Sequence, residues 1–432
     1  MSVTHDELRL EVFTPELVAG KPSDKSAAFS RAVSRGFYEP EASDEDQQTL
    51  TELDIADLAV FYAMYDDGQA LPSIHDQAPV GTYLSFPGTM NVGGQSLVPV
   101  DQISGVTVAP THRRRGILRS MITADLQRAR EAGMPLAVLT ASEATIYGRF
   151  GFGLAAERAR FELDVSNGAT MRGQRTGQII SLAPAQLEAQ VRDLLQQQHL
   201  ATYGSVSNTS MDYGFATGRW QSYQKLTPHK ELRAALHVDA QGTVDGFVTY
   251  SFAGWEHDPA QLNIAMLCAH TPQARWELIE FLGSHDLIKK LSGRGPLDDV
   301  LRSALIDPRS YKIKAAGDHL WLRILDLPAA IAARGYQQDG DIRVKVVDSL
   351  GFAAGTWQIQ VREGIGSAHL LESTADYDTL MDVRDLATLY LGTRNASHLA
   401  GAGVLEQTTQ EAIRKLDRLF NVSQAPYCYT DF

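Results

Sequence analysis

Asp101-Gln-Ile-Ser-Gly-Val-Thr-Val-Ala-Pro110-Thr-His-Arg-Arg-Arg-Gly116-Ile-Leu-Arg119 opens the stretch whose reading decides the fold, and Tyr147-Gly-Arg-Phe-Gly-Phe-Gly153 closes it. Residues 103–108 are rich in β-branched side chains and read as a strand, which Pro110 stops. From Gly116 onward Ile117, Leu118, Met121, Ile122, Leu126 and Ala129 recur at helical spacing. Gly133 then ends the helix and Pro135 forbids its continuation. Residues 136–140 form a second short apolar run, so the whole is a strand, helix and strand unit.

Arg113, Arg114 and Arg115 stand where that helix begins. A helix N-terminus already carries about half a positive charge and several unpaired N–H groups, so three guanidiniums there repel it unless an anion lies between them. A phosphate answers both the charge and the orphan donors, and Gly116 lets the backbone approach it. Alone, a basic run is most often a solvated turn. The order strand, Pro, basic turn, Gly and amphipathic helix favours the phosphate.

These residues resemble the acyl-CoA site of the GCN5-related N-acetyltransferases, whose signature is Arg or Gln, two residues, Gly, one residue, then Gly or Ala. Arg113, Gly116 and Leu118 hold those positions, and Leu118 departs from the pattern. The longer string Val106-Thr-Val-Ala-Pro-Thr-His-Arg-Arg-Arg-Gly116, with Ala141-Ser-Glu-Ala-Thr-Ile-Tyr-Gly-Arg-Phe-Gly151 after it, resembles more narrowly the Eis (enhanced intracellular survival) family, over essentially the whole chain. The resemblance implies acetyl-CoA as co-substrate. Val106, Thr107 and Val108 would pair with its pantetheine amides as an added strand does. Arg113, Arg114, Arg115, Gly116, Ile117, Leu118 and Arg119 would hold its phosphates. Ser142 and Glu143 match positions near the cofactor, although Ser142 as a plain N-cap stays open. Tyr147 matches the general acid, and the C-terminal carboxylate, here of Phe432, the general base. Asp431-Phe432 keeps the family's acidic residue before a final Phe. The resemblance further implies a homohexamer.

Composition bounds the rest. The chain has 432 residues, a net charge of −13 and 44% hydrophobic residues, room for two or three globular domains. Such acidity argues against a nucleic-acid partner and suits cationic substrates, though solubility alone explains it. Cys268 and Cys428 are the only cysteines and read as packing residues, so no disulfide framework or Cys-based zinc cluster is expected. The twelve histidines include no His-Glu-x-x-His pair, and no metal is expected. Gly148, Gly151 and Gly153 do not open a helix after a strand, and Gly401 and Gly403 do no better, so no dinucleotide site is read. The first ten residues lack the basic start and apolar run of a signal peptide, and no run reaches membrane-spanning length. A cytoplasmic protein is expected.

The expected fold class is α+β: tandem GCN5-related acetyltransferase folds, the second degenerate, followed by a sterol-carrier-protein-like α/β domain. Leu327-Pro-Ala-Ala-Ile-Ala-Ala-Arg-Gly-Tyr336 and the last two helices resemble the domain of that kind that closes Eis proteins. The expected segments are 1–165, 166–318 and 319–432. In the first, a helix over 25–37 has Asp24 as its expected N-cap, and strands are expected over 58–65 and 80–86, with a turn at Pro87 and Gly88. Phe37, Tyr38 and Glu41, with Glu39, form an aromatic and acidic cluster suited to a cation, or simply a packed helix end. With Asp431 they are the candidate substrate contacts. The middle segment repeats the strand, Thr271-Pro272 and helix plan, but Trp276 stands near where a phosphate loop needs Gly and no Arg triplet precedes it; chance likeness of two common α/β units is the alternative. In the third, strands are expected over 319–324, 342–348, 355–362 and 367–371, and helices over 327–334, 377–391 and 406–420. The apolar tail 427–432 is expected to dock.

The resemblance implies an enzyme moving acetyl from acetyl-CoA to primary amines of polycations such as aminoglycosides, and direct attack fits the lack of a credible Cys nucleophile. A protein lysine acetyltransferase and a lipid-binding protein with a vestigial transferase site are the alternatives.

Overall fold

The computed structural model describes residues 8–68, 74–75, 77–405 and 409–432. The first segment runs β1 (Leu8–Phe13), a hairpin of β2 (Leu17–Val18) and β3 (Lys21–Pro22), α1 (Asp24–Gly36), α2 (Asp44–Ala56), β4 (Val60–Asp66), β5 (Gly81–Met90), β6 (Val98–Val108), α3 (Ile117–Glu131), β7 (Leu136–Thr140), α4 (Ala144–Tyr147) and β8 (Gly153–Asp164). Next come β9 (Gln178–Leu182), α5 (Val191–Ala201), α6 (Ser210–Ala216), β10 (Arg233–Val238), β11 (Val244–Phe252), β12 (Gln261–Ala269), α7 (Pro272–Gly283), β13 (Lys290–Gly295), α8 (Leu301–Ala304) and β14 (Tyr311–Ile324). The chain ends with α9 (Leu327–Ala333), β15 (Gly340–Val347), β16 (Gly355–Arg362), β17 (Ile365–Leu370), β18 (Thr379–Asp382), α10 (Val383–Tyr390), α11 (Ala396–Gly401) and α12 (Gln410–Leu419).

Twelve strands form one continuous sheet in the order β1-β4-β5-β6-β7-β14-β8-β13-β12-β11-β10-β9. Two strands change sides to make it so. β14 inserts between β7 and β8, and β8 in turn lies against β13. The strand expected from residue 319 therefore begins at Tyr311 and crosses position 318 without a break. The reason is long-range: its first half ladders with β8, pairing Tyr311 with Leu163. The last segment has its own four-stranded sheet, β17-β16-β15-β18.

Several local expectations are corrected. Ser23, not Asp24, caps α1, its hydroxyl accepting from the N–H of Ser26. β5 runs through Pro87 and Gly88 to Met90 rather than turning there. Pro87 is tolerated because β4 pairs β5 only as far as Ser85 and the Met90 bridge to Val206 comes later, so at Pro87 β5 has β6 alone as strand partner and an open side on which a missing N–H costs little. The helix expected over 377–391 starts at Val383, because residues 379–382 are drawn into parallel pairing with β15 and Asp382 then caps the helix. The helix expected from Glu406 begins at Gln410; residues 406–408, like residues 1–7 of the leader reading, lie outside the described residues.

Two fully buried arginines tie the last segment together. Arg334 donates to the carbonyls of Tyr390 and Phe420 at 2.6 and 3.0 Å, satisfying the ends of α10 and α12. Arg323, on β14, donates to both oxygens of Asp348 at 2.7 and 2.6 Å. Asp348 also takes the N–H groups of Leu350 and Ala353, so both carboxylate oxygens are engaged, while the buried Arg323 Nε has no partner among the described residues. Arg323 packs beneath Gly151, and so supports the turn that follows Tyr147. Removing one partner strands a buried charge. Arg323→Met should cost about 3–5 kcal/mol of stability by chemical denaturation, and adding Asp348→Leu should recover much of that loss.

Candidate functional site

The site begins where two strands part. β6 and β7 pair in parallel only from Val100 opposite Leu136 to Ile103 opposite Leu139. Beyond Ile103, β6 carries one residue more than β5 between the pairs Leu84–Ser104 and Thr82–Thr107, and Gly105 takes a φ of +59° to absorb it. Val106, Thr107 and Val108 thus keep β5 on one side and, among the described residues, have no strand on the other. Their free edge presents peptide groups at the spacing an extended amide chain needs.

At the end of that edge the basic turn leads into α3. Gly116 is its N-cap at φ +80°, with no side chain accepting from the first N–H groups. Among the described residues nothing beyond its chain neighbours lies within 4 Å of where a Cβ would stand there, so the backbone angle, not packing, calls for glycine. Arg114 is also left-handed, at φ +64°, which costs a bulky residue roughly 1–2 kcal/mol. The uncapped donors and the Arg113, Arg114 and Arg119 side chains suit a phosphate-bearing ligand. Arg115 stands apart: its Nη1 donates to Asp66 at 3.0 Å, and it does not line the cleft.

The other arm of the fork carries α4. The N-cap position of α4 is Glu143, without a side-chain bond, so Ser142 is not the cap and faces the cleft with Glu143. Tyr147 is 8% exposed and stacks edge-on to Phe152 at 6.0 Å. Burial, aided by the charge of Glu143, pushes its phenol up to about 12. Among the described residues no hydrogen bond engages its hydroxyl.

The C-terminal tail enters the mouth of the fork. Thr140, the last residue of β7, donates to the Phe432 O at 2.6 Å, and the Phe432 ring meets Phe86 at 6.0 Å. Asp431 is held by all three segments. Arg158 donates to both its oxygens at 3.1 and 2.8 Å, and Arg294 donates to one at 3.1 Å. Tyr223 donates to its carbonyl at 2.8 Å, and His319 lies 3.9 Å from the carboxylate and 2.8 Å from the Thr430 carbonyl. Burial works against ionisation of Asp431, but the hydrogen bonds and charge of Arg158, with His319 and Arg294, outweigh it and hold the carboxyl below its usual range. Asp431 thus lines the cleft, but with its charge committed to the protein.

These parts surround one cleft of about 1250 Å³. Phe37, Tyr38 and Glu41 line it, and Glu41 also accepts from Arg35 at 3.3 Å. Acids that the sequence reading missed line it too. They are Asp46, Asp54 and Asp57 of α2 and its end, and Ser43 before Asp44-Glu45-Asp46 was the start signal that marked this helix. Asp57 accepts from the N–H and hydroxyl of Ser210, and burial raises its pKa. Burial and then Asp57 push Asp54 up to about 8. Tyr223 and Gln224 reach over from the middle segment, Gln224 donating to Glu39 at 2.7 Å; nothing local in the sequence announced them.

The middle segment's own helix start differs. Thr271 caps α7 by accepting from the Ala274 N–H at 3.0 Å, and donates to Asp245 at 2.9 Å. A carboxylate therefore stands where the first segment presents arginines, and Trp276 packs on Gly173. Cys268 and Cys428 are buried, and burial raises both thiols, which leaves them inert. Among the described residues no helix is long and apolar enough to cross a membrane.

Family models match in the order the fold suggests. An acetyltransferase (GNAT) domain covers residues 25–155, a second acetyltransferase (GNAT) domain 216–324, and a sterol carrier protein domain 327–429. An uncharacterised N-acetyltransferase of Streptomyces griseus is 34% identical over 94% of this chain and 97% of its own. N-acetyltransferase Eis of Mycobacterium tuberculosis is 30% identical over 79% of this chain and 83% of its own. Eis1 of Mycobacterium abscessus, 24% identical, shares the fold with a TM-score of 0.77 over 98% of this chain and 100% of its own. Enzymes of the GNAT type use acetyl-CoA, and the free edge of β6 with the uncapped start of α3 fits its amide chain and phosphates. With tandem acetyltransferase domains, a sterol-carrier domain and relatives of this identity, the chain belongs to the Eis family of GCN5-related N-acetyltransferases.

Proposed function

We propose that this chain moves the acetyl group of acetyl-CoA to primary amines of polycationic acceptors such as aminoglycosides, as a cytoplasmic homohexamer whose segments meet at about 165 and 318, with β14 spanning the second boundary. The convergence of the phosphate turn, Tyr147, the Phe432 carboxylate and a wall of carboxylates on one cleft carries the reading. The acceptor ammonium loses one proton to become a nucleophile. Its nitrogen attacks the acetyl carbonyl carbon, the bond from that carbon to sulfur breaks, and the nitrogen sheds a second proton. Tyr147 supplies a proton to the leaving sulfur, and the Phe432 carboxylate receives protons from the amine, directly or through water.

Magnitudes bear on both roles. Against an aqueous thiol near 8.5, a phenol near 12 gives up its proton at a cost of about 5 kcal/mol. Burial in the same cleft raises the thiol as well, so the true gap is narrower. A free α-carboxylate near 3.5 is a feeble base, so its contribution rests on placement, and the Asp431 clamp and the Thr140 contact support that reading.

Release of free CoA thiol from acetyl-CoA should depend on an aminoglycoside, and Tyr147→Phe should lower kcat by about 10²–10⁴ with acetyl-CoA binding retained. Release driven only by lysine peptides would favour a protein acetyltransferase instead; unchanged turnover in the variant would remove Tyr147 from the mechanism. A few residues added after Phe432 should lower turnover while acetyl-CoA still binds, and an extended chain of full activity would sink the carboxylate's role. Asp54, raised to about 8, is neutral below that value and anionic above it, and a cationic acceptor prefers the anion. The acceptor KM should therefore fall as pH rises through about 8, and Asp54→Asn should flatten that dependence.

A further inference from the structure

Three arginines share one turn without sharing one role. Arg113 and Arg114 line the cleft and have no side-chain partner among the described residues. Arg115 turns the other way, to Asp66 Oδ2 at 3.0 Å. That oxygen also meets His112 Nε2 at 3.0 Å, while His112 Nδ1 meets the Thr111 hydroxyl at 2.8 Å. Asp66 Oδ1 accepts from the N–H of Gly68 at 3.1 Å. The His75 ring lies 5.6 Å from that of His112, edge-on. The Asp66 and His112 side chains are 12% and 7% exposed, so this is an enclosed junction rather than a solvated pair.

Its placement gives it a purpose. Asp66 ends β4, two strands away from β6 in the sheet, so it is a fixed point independent of the turn itself. His112 and Arg115 flank Arg113 and Arg114 in sequence, and both finish on one oxygen. The two residues between them are thereby pinned at each end, and Arg114 is held in the left-handed conformation that a bulky residue does not keep unaided.

We propose that Asp66 is a positioning residue for the acyl donor: by gripping His112 and Arg115 together it aims Arg113, Arg114 and the first N–H groups of α3 at the donor's phosphates, without touching the donor. This assignment rests on acetyl-CoA being that donor. It makes Arg115 part of the brace rather than a phosphate contact.

The test compares two donors with one aminoglycoside acceptor: acetyl-CoA, and S-acetylpantetheine, which has the thioester and amide chain but no phosphate. The unaltered enzyme should prefer acetyl-CoA. Asp66→Asn should lower kcat/KM for acetyl-CoA about tenfold to a hundredfold and leave that for S-acetylpantetheine within about twofold. A preference that survives the substitution overturns the brace alone. Equal loss on both donors marks a merely structural role and overturns it as well. No preference in the unaltered enzyme removes the phosphate turn beneath it, and the brace with it. Should Asp66→Asn fail to fold, His112→Gln, which removes one leg of the brace, is judged by the same ratio.

Discussion

The point at which β6 stops pairing with β7 governs the rest of the site. Four residue pairs hold the strands together, and after Ile103 and Leu139 they diverge. Had the ladder continued, the peptide groups of 106–108 would be satisfied within the sheet and nothing could dock there. Because it ends, one arm presents a strand edge and the other carries α4 with Tyr147. The extra residue at Gly105 bends β6 outward and makes the divergence permanent.

Into that opening the protein puts its own tail. The charged contacts at Asp431 are not the source of much stability, since its side chain is 42% exposed and exposed ion pairs are worth about 0–1 kcal/mol each. Their value is geometric. Arg158, Arg294, Tyr223 and His319 come from distant parts of the chain, so the last residue is located only when those parts are correctly assembled. The middle segment contributes in the same manner. Its own helix start is occupied by Thr271 and Asp245, yet Tyr223 and Gln224 close the neighbouring cleft.

What was legible in the sequence was what local chemistry decides. The strand, basic turn and helix of 103–131 follow from β-branching, Pro110, Gly116 and apolar spacing, and the structure reproduces them almost residue for residue. The same local signals misled wherever a distant partner intervened. Pro87 reads as a turn until one sees that β4 has already stopped pairing beside it. Residues 379–382 read as helix until β15 claims them. Arg115 looked like its two neighbours, and only Asp66, 49 residues earlier, sets it apart. Ser43 and the acids behind it carried a signal for the start of α2, but that Asp46, Asp54 and Asp57 would face the cleft is decided by packing that no local signal marks.

The exchange of β8 and β14 has a consequence for synthesis. A chain emerging from the ribosome offers β7 and β8 long before β14, which lies about 150 residues further on. Until β14 arrives, β7 and β8 each have a strand edge whose native partner is still missing. Such edges recruit other chains. The sheet of the first segment is therefore complete only once the chain has been made as far as β14.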